Sequence, residues 1–143
     1  MPVEYRSVVD LPPGVWRWPH VHPQREWACK GSGVILIVPS FLDRIENLRT
    51  RVGFALPINS GYRSPSHNAA VSFTGDDGPH TTGRAVDIAV HGVRALEVLA
   101  AAMQLGFTGF GLKQDGPVQG RYIHLDDLES NTDGRVRPAL WTY

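Results

Sequence analysis

The chain has 143 residues, 14 Lys+Arg against 14 Asp+Glu, a 42% hydrophobic fraction and one cysteine. A formal charge of zero disfavours nucleic acid or an anionic membrane surface as a partner, and a lone Cys29 excludes a disulfide framework or a multi-cysteine zinc cluster. The length suits one folding unit over residues 1–143, and the longest apolar run, Val34–Val38, falls far short of the ~20 residues needed to span a bilayer.

The first 33 residues hold Pro2, Pro12, Pro13, Pro19 and Pro23 among Trp16, Trp18 and Trp27. They are too proline-rich for a regular helix and too aromatic for a free tail, so they are expected to form a strap packed on the domain. The opening Met1-Pro2-Val3-Glu4 lacks the basic and apolar start of a signal peptide, so synthesis in the cytoplasm is expected.

Val34–Val38 predicts a short strand closed by Pro39. Phe41, Leu42, Ile45, Leu48 and Val52 recur at helical spacing, and Ser40-x-x-Asp43 fits a capping box, which predicts a helix over 41–52. Leu56–Asn59 reads as a buried strand. From Ser60 to Gly83 turn-forming residues dominate, broken by a helical turn at His67–Val71. A loop this long in a compact domain is usually functional, and it carries Arg63, His67 and His80. Arg84–Val90 alternates as a strand, and Val93, Leu96, Leu99, Ala100 and Met103 predict a second amphipathic helix stopped at Leu105-Gly106. Phe107–Leu112 and Arg121–Leu125 follow as strands joined by the loop Lys113–Gly120. Because strands and helices do not alternate strictly, the expected class is α+β, a small antiparallel sheet with flanking helices.

A His80-x6-Asp87 pair alone carries little weight in a chain with six histidines and 14 acids. Its setting carries more, because His80-Thr-Thr-Gly83-Arg-Ala85-Val-Asp87 runs from a long loop into a strand, where Ala85 and Asp87 share a face. Tyr122, His124 and Asp126 likewise share one face of a later strand. Two imidazoles and a carboxylate from separate segments fit a catalytic zinc site with a fourth position left open.

Four motifs then occur in order: Ser60-Gly61-Tyr62-Arg63-Ser64-Pro65-x-His67-Asn68, His80-x-x-Gly83-x-Ala85-x-Asp87, Gly109-Phe110-Gly111 and Tyr122-Ile123-His124-Leu125-Asp126. With these the chain resembles the M15 zinc peptidases, of the D-Ala-D-Ala carboxypeptidase-like branch, over residues 20–141. The resemblance implies the fold shared with the zinc-binding domain of Hedgehog proteins, Zn²⁺ held by His80, Asp87 and His124, and Arg63 placed to bind substrate or polarise the scissile carbonyl. It implies hydrolysis of an amide bond in the peptide stem of bacterial peptidoglycan, as a D,D-carboxypeptidase or an endopeptidase, with a phage or prophage endolysin as one setting.

The chain departs from the family twice. Gly78 stands where the family usually has serine, two residues before the first ligand, and Arg121 stands where several members place an acid three residues before the last ligand. The general base is therefore open between Asp126, which is equally suited to orienting His124, and Asp115 in the Lys113–Gly120 loop. Trp141 and Tyr143 are candidates for stacking on substrate, or for burial. A monomer is expected. The competing reading is a non-catalytic, zinc-stabilised cell-wall-binding or virion-associated module, for which the missing acid at 121 is the motive.

Overall fold

A computed structural model describes all 143 residues. Strand β1 (Val3–Tyr5) pairs antiparallel with β2 (Ile35–Ile37) in a two-stranded sheet of their own. Helix α1 (Pro39–Val52), strand β3 (Ile58–Ser60), helix α2 (Pro65–Val71), strand β4 (Ala85–Ile88) and helix α3 (Gly92–Gln104) follow, and β5 (Gly109–Lys113), β6 (Tyr122–Asp126) and β7 (Ala139–Thr142) complete the chain. The main sheet has the order β3-β4-β6-β5-β7. The fold is α+β, but the sheet is mixed rather than antiparallel throughout, because β7 runs parallel to β5 at the edge. No helix is long and apolar enough to cross a membrane.

Strand alternation sorts the main sheet into two chemically distinct faces. Val86 and Ile88 of β4, Phe110 of β5, and Ile123 and Leu125 of β6 are buried in the apolar core. Phe41, Leu42, Ile45 and Leu48 of α1, and Ala95, Val98, Ala101 and Ala102 of α3, supply the helical side of that core. The other face receives Ala85 and Asp87, Gly109 and Gly111, and Tyr122, His124 and Asp126. Polar side chains are thereby collected in one place by the same period that builds the core.

Helix α1 starts two residues before the expected boundary, at Pro39, whose missing N–H costs nothing in the first turn. The capping box does not form. Val38 is the N-cap with no side-chain bond, and Asp43 instead accepts from the Trp18 indole at 2.7 Å and pairs with Arg17 at 3.2 Å. Asp43 therefore ties down the N-terminal strap, where Trp18, Val21 and Trp27 are buried. Trp27 packs on Phe41, and its indole N–H donates to the Leu36 carbonyl at 2.8 Å. Trp27→Ala would remove that bond and one of the two largest side chains in the core, so a loss of about 3–5 kcal/mol is expected in urea unfolding.

Candidate metal centre

The long loop predicted from Ser60 onward contains helix α2 and, at Pro79–Thr82, a 3-10 turn that presents His80. Strand register does the rest, since Asp87 of β4 lies directly opposite His124 of β6. His80, Asp87 and His124 are all buried, and each offers a ligand atom within 4.8 Å of the others. His80 Nε2 lies 3.2 Å and His124 Nδ1 lies 3.1 Å from the same Asp87 oxygen, Oδ1.

The remaining ring nitrogens decide what those atoms are. His80 Nδ1 lies 2.8 Å from the Gly61 carbonyl, which only accepts, so that nitrogen carries the proton. His124 Nε2 lies 2.8 Å from Asp126 Oδ2, a carboxylate that also receives Arg137 Nη2 at 2.7 Å, so it too is a donor. When each ring carries only the proton facing away from Asp87, Nε2 of His80 and Nδ1 of His124 present lone pairs to its carboxylate oxygen. Two lone pairs 3.1–3.2 Å from one carboxylate oxygen repel it unless a proton or a cation lies between them, and tetrahedral zinc with ~2.0–2.1 Å bonds spaces its ligands by about 3.3 Å. The donor set, two imidazoles and one carboxylate with both rings oriented from behind, fits zinc.

The electrostatics agree with that fit. Burial pushes Asp87 toward its neutral form, but His80 and His124 outweigh it and hold the carboxyl well below the usual carboxylate range. Burial likewise opposes charge on His124, yet hydrogen bonds to Asp126 and Asp87 raise its pKa. A proton therefore competes for the position a metal would take.

Asp126 has no exposed surface, and the general-base role considered for it has no geometric support. Its register partners are Ala85 and Gly109, and Arg137 grips it with Nε at 2.8 Å and Nη2 at 2.7 Å. Burial alone would raise its pKa, but His124 and Arg137 together hold it low. Both oxygens are spent, and neither reaches the cleft. Asp126→Asn keeps the shape but turns an amide N–H₂ toward donors, so zinc affinity is expected to fall by ~10–100-fold in a competition titration. Asp115, the other candidate base, is exposed, pairs with Lys113 and does not line the cleft.

A cleft of 440 Å³ opens over the centre, lined by His80, Asp87, His124, Arg63, Phe73 and Trp141 among others. Arg63 donates through Nε to Ser60 Oγ at 3.0 Å, through Nη1 to Asn68 Oδ1 at 3.2 Å and through Nη2 to Asp87 Oδ2 at 3.3 Å. The guanidinium thus fixes the carboxylate whose other oxygen faces the histidines. Trp141 lies tilted against the His124 ring with centroids 5.2 Å apart, and Tyr122 and Tyr143 pair at 5.4 Å. Burial, reinforced by Tyr143, pushes the Tyr122 phenol well above its ordinary value, so it stays a donor.

The glycines of Gly109-Phe110-Gly111 keep this arrangement open. A Cβ on Gly109 would sit 2.3 Å from the Asp126 carboxylate, and one on Gly111 would sit 2.6 Å from Trp141 Nε1. Arg137 and Phe73 had no signal in the sequence analysis, because neither lies at a diagnostic spacing from a ligand, and Asn68 closed the first motif without a role of its own. The remaining histidines stand apart from the centre, with His20 paired to Glu46 and His67 packed against Gly31.

No curated protein and no solved structure matches the chain. The family model described as Peptidase M15 matches residues 21–126. That segment covers more than half of the chain and contains His80, Asp87 and His124, so the chain belongs to the M15 peptidase family.

Proposed function

We propose that the protein is a zinc-dependent peptidase that hydrolyses an amide bond in the peptide stem of bacterial peptidoglycan, as a D,D-carboxypeptidase or an endopeptidase. The observation that carries this is the convergence of three lone-pair atoms, from His80, Asp87 and His124, on the floor of a cleft that also holds Arg63. Zinc held there would supply Lewis acidity toward a substrate carbonyl and lower the pKa of water. His80 and His124 keep their lone pairs forward because the Gly61 carbonyl and Asp126 hold their N–H groups behind. Arg63, which cannot lose its proton, directs N–H groups toward the oxygen on which negative charge develops. Trp141, Tyr122 and Tyr143 form an aromatic wall with hydroxyl donors for the peptide.

The stem peptide lies in the wall, so the protein acts there after release from the cell or from within a virion, as a phage or prophage endolysin would. A second reading, a non-catalytic zinc-stabilised wall-binding module, is favoured by one observation: no carboxylate other than Asp87 lines the cleft. Digestion of purified muropeptides by the zinc-loaded protein, read by mass spectrometry, separates the two. Loss of a terminal residue identifies a carboxypeptidase and scission of a cross-link identifies an endopeptidase. Unaltered muropeptides combined with tight binding to sacculi would establish the binding module instead.

A further inference from the structure

Asn68 is 1% exposed, the most deeply buried polar side chain outside the strands of the site. Its Oδ1 accepts from Arg63 Nη1 at 3.2 Å, while its Nδ2 donates to Thr74 Oγ1 at 2.8 Å and to the Gly75 carbonyl at 2.5 Å. The orientation of the amide is unambiguous, since a guanidinium only donates and a carbonyl only accepts. Thr74 is braced in turn by Ser72, whose Oγ lies 2.9 Å from Thr74 Oγ1 and accepts from Thr74 N at 3.2 Å. The chain makes room for this knot at Gly78, two residues before His80. A Cβ there would stand 2.2 Å from Thr74 Oγ1 and 2.7 Å from Asn68 Nδ2. The rim so tied presents Val71 and Phe73 to the cleft, with Phe73 94% exposed.

We propose that Asn68 is a positioning residue with two arms: its oxygen fixes the Arg63 fork, and its nitrogen holds the Ser72–Gly75 rim so that Phe73 forms one wall of the substrate cleft. As an account of turnover this rests on the peptidase reading above. The two arms separate by substitution. Asn68→Asp keeps an oxygen for Arg63 and loses the N–H₂ arm, Thr74→Val loses the rim hydroxyl alone, and Asn68→Ala loses both arms.

Steady-state kinetics at saturating zinc are expected to show KM raised about tenfold in Asn68→Asp and Thr74→Val with kcat within about threefold, the scale of one hydrogen bond. Asn68→Ala should add a fall in kcat of about tenfold. A role in folding alone would leave KM and kcat unchanged in whatever fraction folds, and that result would overturn the proposal.

Two readouts need no substrate. Amide exchange of residues 72–78 should speed up in all three variants, and exchange of the Arg63 Nη1 protons, followed by NMR, should speed up in Asn68→Ala but not in Asn68→Asp. Unchanged rim exchange would overturn the nitrogen arm, and unchanged Arg63 exchange in Asn68→Ala would overturn the oxygen arm. A wild-type protein without turnover would instead count against the peptidase reading, with these exchange rates still deciding the role of Asn68.

Discussion

Replacing His124 with alanine is expected to abolish zinc retention and turnover together while leaving the fold intact. The ring is buried between Asp87 and Asp126, and its loss removes one of three convergent donors. Neither acid is orphaned by the change. Asp87 keeps His80 and Arg63, and Asp126 keeps both bonds from Arg137. The protein should therefore remain folded by circular dichroism but bind zinc more weakly than the ~10–100-fold loss expected for a residue that only supports a ligand. Elemental analysis after dialysis would read this directly, and wild-type zinc content in His124→Ala would remove the residue from the ligand set.

Arg63→Ala should lower kcat by ~10²-fold or more at saturating zinc, the scale of one lost donor to a developing oxyanion. The condition matters because Arg63 also holds Asp87 Oδ2 at 3.3 Å, so part of any loss at limiting zinc would come through the ligand. Activity that returns fully when zinc is added would make Arg63 a support for Asp87 alone. A deficit that persists in excess zinc places it on the substrate. Arg63→Lys should recover only part of the deficit, because one ammonium cannot reach Ser60, Asn68 and Asp87 while still offering a fork to substrate.

The centre was legible in the sequence where local rules govern it. Period-two alternation placed Asp87 and His124 on one face of their strands, and ordered motifs joined them to His80 and Arg63. Where long-range contacts govern, the sequence was silent or misleading. Asp43 has the spacing of a capping box, but Trp18 and Arg17 claim its carboxylate from 25 and 26 residues away. Asp126 shares a face with His124, yet alternation does not say which neighbour it meets. Pairing with Ala85 and Gly109 sets it behind the ring, where Arg137 closes on it from a loop 11 residues later. Strand β7 has no signature in the sequence. It is four residues long, follows Pro138 and gains its hydrogen bonds by lying parallel to β5, a pairing no local pattern announces.

One zinc ion in the His80, Asp87 and His124 set is the proposed agent of peptide hydrolysis. The direct measurement is turnover of a muropeptide substrate by chelator-stripped protein as zinc is added back in known equivalents. No cleavage is expected without metal, then a linear rise to one equivalent and no further gain beyond it. Cleavage by the stripped protein, or full zinc uptake with no cleavage of any stem peptide, would contradict it.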